Sequence, residues 1–439
     1  MDVVSLYASK LASAADAAAT IQSGTRLSMG MAMAEPPAIL EALAARAEAG
    51  QIEDPRVYYF EATSIAAKTI LRYELNDRIR PYSMFITRAE RALIKRGLEE
   101  GRKTVNYVPN NFHQAPRLLI DEIGIDTFVC TVSPMDAHGY MSFGIGNDYS
   151  TKVARSAKRL IVEVNDQMPR IHGSGAALHV SEVDTIVENH VALLELPVRR
   201  GGPAEETIGR LIADLVPDGA CLQMGVGALP NLVCAQLAGR SDLGIHTEAM
   251  CPGLIDLAVA GVVTNRRKTL NRGTSVFTFA MGQRSMYDYL ADNPAVESWP
   301  VDYVNDPAII ARNDDVVSIN GTIQIDLTGA CNSEHMLGHQ YSASGGQLDF
   351  VRGAFASKGG KSIIAASSTA AEGKVSKIVA KLDGPVTTPR IDTHYVVTEF
   401  GSVNLKGMSS TERALELIAL AHPDFRDGLR DAAKAQHLL

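Results

Sequence analysis

Cysteine is scarce in this 439-residue chain: there are five, at 130, 221, 234, 251 and 331, with no CxxC pair and an odd total. That excludes a disulfide framework and suits a reducing compartment, so the five are expected to be buried apolar fillers. Metal-ligand spacing is also lacking. His246 and Glu248 stand close together, yet no second histidine at helical spacing completes a zinc site, and no metal is expected. Long hydrophobic runs are absent. One of the longest, Ala258 to Val263, is far short of the ~20 residues that cross a bilayer. The first residues mix apolar side chains with Asp2, Lys10 and Asp16 and form no signal-peptide core. Nor is there an excess of positive charge. With 42 basic and 50 acidic side chains the net charge is −8, so no overall field favours nucleic acid or anionic lipid. The expectation is a cytoplasmic protein with no nucleic-acid or membrane partner, in which any anionic ligand is held locally. What is present, 46% hydrophobic and 21% charged residues, is a globular composition. At roughly 150 residues per domain it implies two or three domains.

An internal echo indicates how the chain is organised. Gly24 to Ala32 (GTRLSMGMA) and Gly219 to Gly227 (GACLQMGVG) share Gly, Leu, Met, Gly and a small residue at an offset of 195. After one residue of slippage Pro36 faces Pro230, Leu43 faces Leu237 and Arg46 faces Arg240. Both copies read as a short strand, a glycine turn and a helix entered near proline. A fainter echo sets Gly144 to Tyr149 against Gly345 to Phe350. Two echoes at nearly equal offset suggest duplicated halves. Between them a helical pattern at Ile208, Leu211, Ile212 and Leu215 alternates with short apolar runs at 159–164 and 275–280. Such alternation indicates an α/β fold with largely parallel sheets. The Gly- and Pro-bearing stretch Val198-Arg199-Arg200-Gly201-Gly202-Pro203 suits a linker, which gives domains at 1–199 and 200–439. Asp315 to Asp326 alternates around Asn320-Gly321 and predicts a hairpin, hence an antiparallel pair in the C-terminal sheet. Ser409 to Glu412 forms a capping box that opens a helix running to His422-Pro423.

The loop Gly225-Val226-Gly227-Ala228-Leu229-Pro230 follows an apolar strand and opens a helix, where bare N–H groups can approach a phosphate, carboxylate or oxyanion. It is not the dinucleotide fingerprint, because Pro230 replaces the third glycine. Leu243 to His246 reads as a strand and Cys251-Pro252-Gly253 as a break. Glu248 is thereby placed on a loop at a strand's C-terminal end, where ligands collect in open α/β sheets. Each residue also has a plain structural reading. Glu248 could be a solvated acid, His246 a packed strand histidine, Asn305 a cap for the helix after Pro307, and Gly345-Gly346 a simple turn.

Taken together, these segments resemble the acetyl-CoA hydrolase/transferase family, the glutamate-dependent CoA-transferases. Ordered blocks carry the resemblance over nearly the whole chain: Ser133 to Tyr140 (SPMDAHGY), His179 to Asp184 (HVSEVD), the Gly225 to Pro230 loop, Gly244 to Glu248 (GIHTE), Gly345 to Phe350, Gly360 to Ile364 (GKSII) and Ala421 to Arg426 (AHPDFR). The resemblance implies two similar CoA-transferase-type open α/β domains with the active site in the cleft between them, and assembly as a homo-oligomer. It makes Glu248 the nucleophile and coenzyme A a substrate and transient covalent adduct, with no permanently bound cofactor. An acyl-CoA and a short-chain carboxylate are the implied reaction partners. Oxyanion stabilisation falls to the Asn305 side chain and the Gly346 backbone N–H. CoA contacts fall to Gln223, Met224, Gly225, Val226, Gly227, Ala228 and Gly345, with Lys361 a candidate for its phosphates. The cluster Arg266, Arg267, Lys268 and Arg272 reads more simply as a solvated face. Ser342-Ala343-Ser344-Gly345-Gly346 stands where relatives often carry a Thr-Gly-Gly run. Met29, Met31 and Met33 crowd the N-terminal turn, and Glu61 ends the next apolar strand. The methionines could simply fill core gaps. Alternatively Met31 and Glu61 shape the acyl pocket, a combination similar to the itaconate CoA-transferase branch. Itaconate and 4-hydroxybutyrate or butyrate are then the acids expected first. An acyl-CoA hydrolase and a non-catalytic ligand sensor of the same fold are the competing expectations.

Overall fold

A computed structural model describes residues 2–197, 201–225 and 227–439. The chain divides into two compact units, one of Met1–Leu196 with Thr278–Tyr303, the other of Pro197–Phe277 with Val304–Leu439. Residues 278–303, which the sequence reading places after its boundary at 200, pack in the first unit. Of the expected linker, 198–200 lie outside the described residues, and Pro203 already starts a helix.

In the first unit the sheet is built from β1 (Arg26–Met29), β2 (Arg56–Tyr59), β3 (Arg80–Ser83), β4 (Asn106–Tyr107), β5 (Thr127–Val132), β6 (Arg159–Val164) and β7 (Thr185–Glu188). They lie in the order β4-β3-β2-β1-β5-β6-β7, with every pair parallel. Helix α1 (Pro37–Glu48), entered at a proline, covers one face and buries Ile39, Leu40 and Leu43. Helix α2 (Ser150–Ser156) follows the Gly144 to Tyr149 turn. β5 is buried at every position, so it reads as a continuous apolar run without the alternation of a half-exposed strand.

The second unit repeats the plan with β8 (Cys221–Met224), β9 (Gly244–Met250), β10 (Val316–Gly321), β11 (Lys361–Ala365), β12 (Tyr395–Thr398) and β13 (Gly401–Asn404). Their order is β9-β8-β10-β11-β12-β13. The run β2-β1-β5-β6-β7 of the first sheet therefore matches β9-β8-β10-β11-β12 of the second. β1 and β8, the strands of the echo, are displaced by its 195 residues at both ends. Helices α3 (Pro203–Leu215), α4 (Ala228–Gln236), α5 (Pro252–Val259), α6 (Pro307–Ile310) and α7 (Gln347–Ala356) belong to this unit. The capping box at Ser409 opens α8 (Ser410–Leu420), and α9 (Pro423–Ala435) starts after His422.

The hairpin expected at Asn320-Gly321 does not form. Both residues end β10, which pairs in parallel with β8 and β11, and neither takes the positive φ that a two-residue turn demands. The antiparallel pair of this sheet is β12 with β13. All five cysteines are buried and free. Among the described residues no helix is long and apolar enough to cross a membrane, and no three His, Cys, Asp or Glu side chains are arranged to hold a metal ion.

Candidate active site

Glu248 lies inside β9, not on a loop beyond it. The strand runs on to Met250 before Cys251 and Pro252 start α5. Its neighbour Thr247 is fully buried, and the Thr247 hydroxyl accepts from the Met224 N–H at 3.3 Å, tying the end of β9 to the end of β8. This local bond holds the glutamate at the C-terminal edge of the parallel sheet, where open α/β folds collect ligands.

Two other predicted residues meet it there. Asn305 is fully buried, and its Nδ2 donates a short hydrogen bond to Glu248 Oε2. Asn305 does not cap the helix after Pro307. Asp306 does, accepting from the Ala308 N–H at 2.8 Å. Gly346 is the N-terminal flanking residue of α7. A Cβ built on it would overlap Glu248 Oε2 and Asn305 Nδ2 and reach 3.0 Å from Glu248 Cδ. Only a residue without a side chain lets the start of α7 come this close. Gly345 shapes the approach with φ +52°.

His246 supports the group from beneath. Burial pushes its pKa down to about 3, so the ring is neutral, and its Nε2 lies 2.8 Å from the Val304 carbonyl. A carbonyl only accepts, so Nε2 carries the proton and fixes the backbone immediately before Asn305. The packed-histidine reading is the one the structure bears out.

Gln223 and Asn320 form a reciprocal amide pair across the ends of β8 and β10, at 3.3 and 3.1 Å. The sequence reading spends Asn320 on a turn and so misses it. Met224 is fully buried, and the Gly225 N–H donates to the Ile319 carbonyl at 3.1 Å. Gly227, at φ +139°, has open space where a Cβ would sit, and α4 begins at Ala228 with no side chain among the described residues capping its first turn. Its leading N–H groups are therefore available to a ligand oxygen. Val226 lies outside the described residues.

Lys361 is not brought to this edge. It begins β11 in register with Val317, and its Nζ donates to the Leu215 carbonyl at 2.7 Å. Glu248 lies about 10 Å further along the strand direction and on a different strand, so the lysine's charge is spent on the opposite edge of the sheet. The basic cluster is not simply a solvated face, because one of its members is buried. Lys268 is buried, with Nζ on the Ile245 and Thr274 carbonyls at 2.8 and 2.7 Å, and Arg266 pairs with Asp242 at the entry to β9.

The chain matches two family models, the acetyl-CoA hydrolase/transferase N-terminal domain over residues 1–195 and the C-terminal domain of the same family over 282–433. It belongs to the acetyl-CoA hydrolase/transferase family. It is 41% identical over 436 residues to succinyl-CoA:cyclohexane-1-carboxylate CoA transferase of Geobacter metallireducens, covering 98% of this chain and 96% of that one. The crystal structure of RipA from Yersinia pestis matches with a TM-score of 0.96 and 69% identity over 100% of both chains. That of 4-hydroxybutyrate CoA-transferase from Porphyromonas gingivalis matches with a TM-score of 0.83 and 32% identity, over 98% of this chain and 99% of that one. Within the acetyl-CoA hydrolase/transferase family this chain is a CoA-transferase.

In the first unit of this family member, Met31 is 2% exposed beside Ala32, whose φ is +51°. Met29 and Met33 are buried with it, as gap-filling requires. Glu61 follows β2 with φ +40°, a left-handed conformation that costs a side-chain-bearing residue strain. Its Oε2 is buried with no hydrogen-bond partner among the described residues. Glu35, which the sequence gives no reason to single out, anchors the next turn by accepting from the Thr63 and Ala66 N–H groups at 2.9 and 3.2 Å.

Burial pushes Glu35 up to about 8 and Asp148 and Glu163 up to about 7. Glu61 rises to about 7 through burial first, then the charges of Glu90 and Asp148. Folding raises these pKa values, so around neutrality the folded state holds protons that the unfolded chain has released, and stability falls as pH rises. The buried His246 and His394, at about 3 and about 4, oppose this only below the ordinary imidazole pKa of ~6.5. The melting temperature is therefore expected to drop from about pH 6.5 to about pH 8, and Glu61→Gln should make the drop shallower. A flat or rising profile would contradict the assignment.

Proposed function

We propose that the chain moves CoA from an acyl-CoA to a short-chain carboxylic acid by ping-pong chemistry at Glu248. The reading rests on one observation above all, that Asn305 Nδ2 and the glycine start of α7 converge on one oxygen of a strand-end glutamate. A carboxylate is ionised at neutral pH and needs no base, but it is a weak nucleophile and has to be positioned.

Glu248 attacks the thioester carbonyl, and the tetrahedral oxyanion collapses with loss of CoA thiolate, leaving an acyl-glutamyl anhydride. The thiolate then attacks the glutamyl carbonyl and releases the donor acid, so the enzyme holds a glutamyl-CoA thioester. An acceptor carboxylate attacks that thioester and expels the thiolate. The thiolate takes the acceptor's acyl carbon, and Glu248 regains its charge. Each addition places negative charge on an oxygen that fixed donors can meet. Those assigned are the Asn305 amide and the Gly346 N–H. Gln223, Met224, Gly225, Gly227 and Ala228 are assigned to the pantetheine end of CoA, with Val226 in the same loop. Binding along the remote part of CoA then helps hold the weak nucleophile in reacting position. Met31 and Glu61 are assigned to the choice of acid. The strained Glu61 backbone and its buried Oε2, which has no partner among the described residues, support that role, and itaconate, 4-hydroxybutyrate and butyrate are the acids to test first.

Incubation with acyl-CoA and no acceptor, followed by borohydride or peptide mass analysis, is expected to find CoA on Glu248. An adduct on any other residue overturns the scheme. Asn305→Ala is expected to lower kcat about a hundredfold or more while leaving the KM for the acid near its starting value, because the donor acts on charge formed in the transition state. A raised KM with kcat unchanged would make Asn305 a ground-state binding group instead.

A further inference from the structure

Residues from α2, from the 174–175 turn and from 299–303 line an open surface cavity of about 630 Å³ within the first unit. Its size lies within the range of small-molecule sites. The wall is built in advance of any ligand. Arg155 bonds to Thr151 and donates to the Gly175 and Ala177 carbonyls at 3.4 and 2.6 Å, pinning α2 to the turn.

Three features share this concavity. Trp299, the chain's only tryptophan, stacks on Tyr303 with ring centroids 4.3 Å apart and planes 29° from parallel, and both rings are half-buried. The indole N–H is already engaged with Glu297 at 2.7 Å, so the indole can offer a ligand its face and not a hydrogen bond. Lys152 faces Asp302 at 3.3 Å, with the side chains 50% and 35% exposed. An ion pair so open to water is worth little, and both partners can be drawn onto a ligand at small cost.

An aromatic face, an ammonium and a carboxylate in one preformed hollow correspond to the three parts of a nucleotide. A base stacks on an indole without regard to its identity. An ammonium takes a phosphate, and a carboxylate takes ribose hydroxyls, as it does in dinucleotide folds. We propose that this cavity binds a nucleoside phosphate, with the base against Trp299, the phosphate on Lys152 and the ribose hydroxyls on Asp302. The chemistry is shared by free mononucleotides and by the nucleotide end of CoA. Binding here does not require the Glu248 chemistry.

Because Trp299 is the single indole, its fluorescence reports the site directly in the full-length protein. Titration with AMP is expected to give a saturable change in emission that persists in Glu248→Ala, so failure of the transfer scheme would leave it intact. Lys152→Glu should weaken AMP about tenfold or more while leaving adenosine within about twofold, since only the phosphate meets the lysine. By calorimetry, Trp299→Ala should weaken both by roughly tenfold or more. A response to CoA that competes with AMP assigns the site to the cofactor's nucleotide end, and a response to AMP alone assigns it to free nucleotide. A response to CoA without AMP, or no response to either, overturns the proposal. So does an unchanged AMP affinity in both Lys152→Glu and the milder Lys152→Met.

Discussion

Glu248→Ala is expected to abolish CoA transfer, with a fall of about three orders of magnitude or more, because the group that accepts the acyl carbon is gone. Fold and stability should change little. The side chain is only half-buried, and β9 is held by its own pairing to β8 and by the Thr247 hydroxyl. Circular dichroism and melting curves check that expectation alongside acyl exchange measured from either direction. Glu248→Asp keeps the charge but withdraws the carboxylate by one methylene from Asn305 Nδ2, and a misplacement of about 1 Å costs on the order of a hundredfold. It should therefore retain weak activity and still form a covalent adduct. Full-speed exchange by the alanine variant would remove the glutamate from the mechanism altogether.

The second large effect is expected at Gly346, a residue with no functional group. A methyl there would collide with Glu248 Oε2 and Asn305 Nδ2 together, and the obstacle belongs to the backbone at the start of α7, so it cannot rotate aside. Gly346→Ala should lower kcat by about two to three orders of magnitude through displacement of the nucleophile and loss of the donors aimed at it. Its φ of −93° is open to alanine, so the backbone itself suffers no strain. Melting temperature near that of the parent with activity lost is the expected pattern. Activity within tenfold of the parent would mean that the start of α7 yields easily and does not set the position of Glu248.

Much of this was legible in the residues. The strands at 159–164 and 275–280 form with the expected ends, and the Ser409 capping box closes as its spacing implies. The 195-residue echo corresponds to strands at the same place in two sheets of matching order. What escaped depends on pairing partners that lie far away in sequence. Thr247-Glu248 looks polar enough for a loop, but the Thr247 hydroxyl finds Met224 and the strand continues. Asn320-Gly321 has the composition of a tight turn, yet parallel neighbours on both sides extend it, and the Asn320 amide is taken by Gln223. Lys361 shows a charge in the sequence but not which edge of the sheet that charge occupies. Asn305 and Asp306 are equally good caps by type, and only the structure assigns that task to Asp306 and leaves Asn305 for the glutamate.

The matched strand orders carry a corollary. Arg26 pairs with Arg56 as Cys221 pairs with Gly244, and counting four residues on from each partner sets Phe60 opposite Glu248. Two units of one plan thus carry a phenylalanine and a glutamate at the same place. On the proposed scheme only the second unit's residue is tied to chemistry, so substitution of Phe60 removes no reacting group.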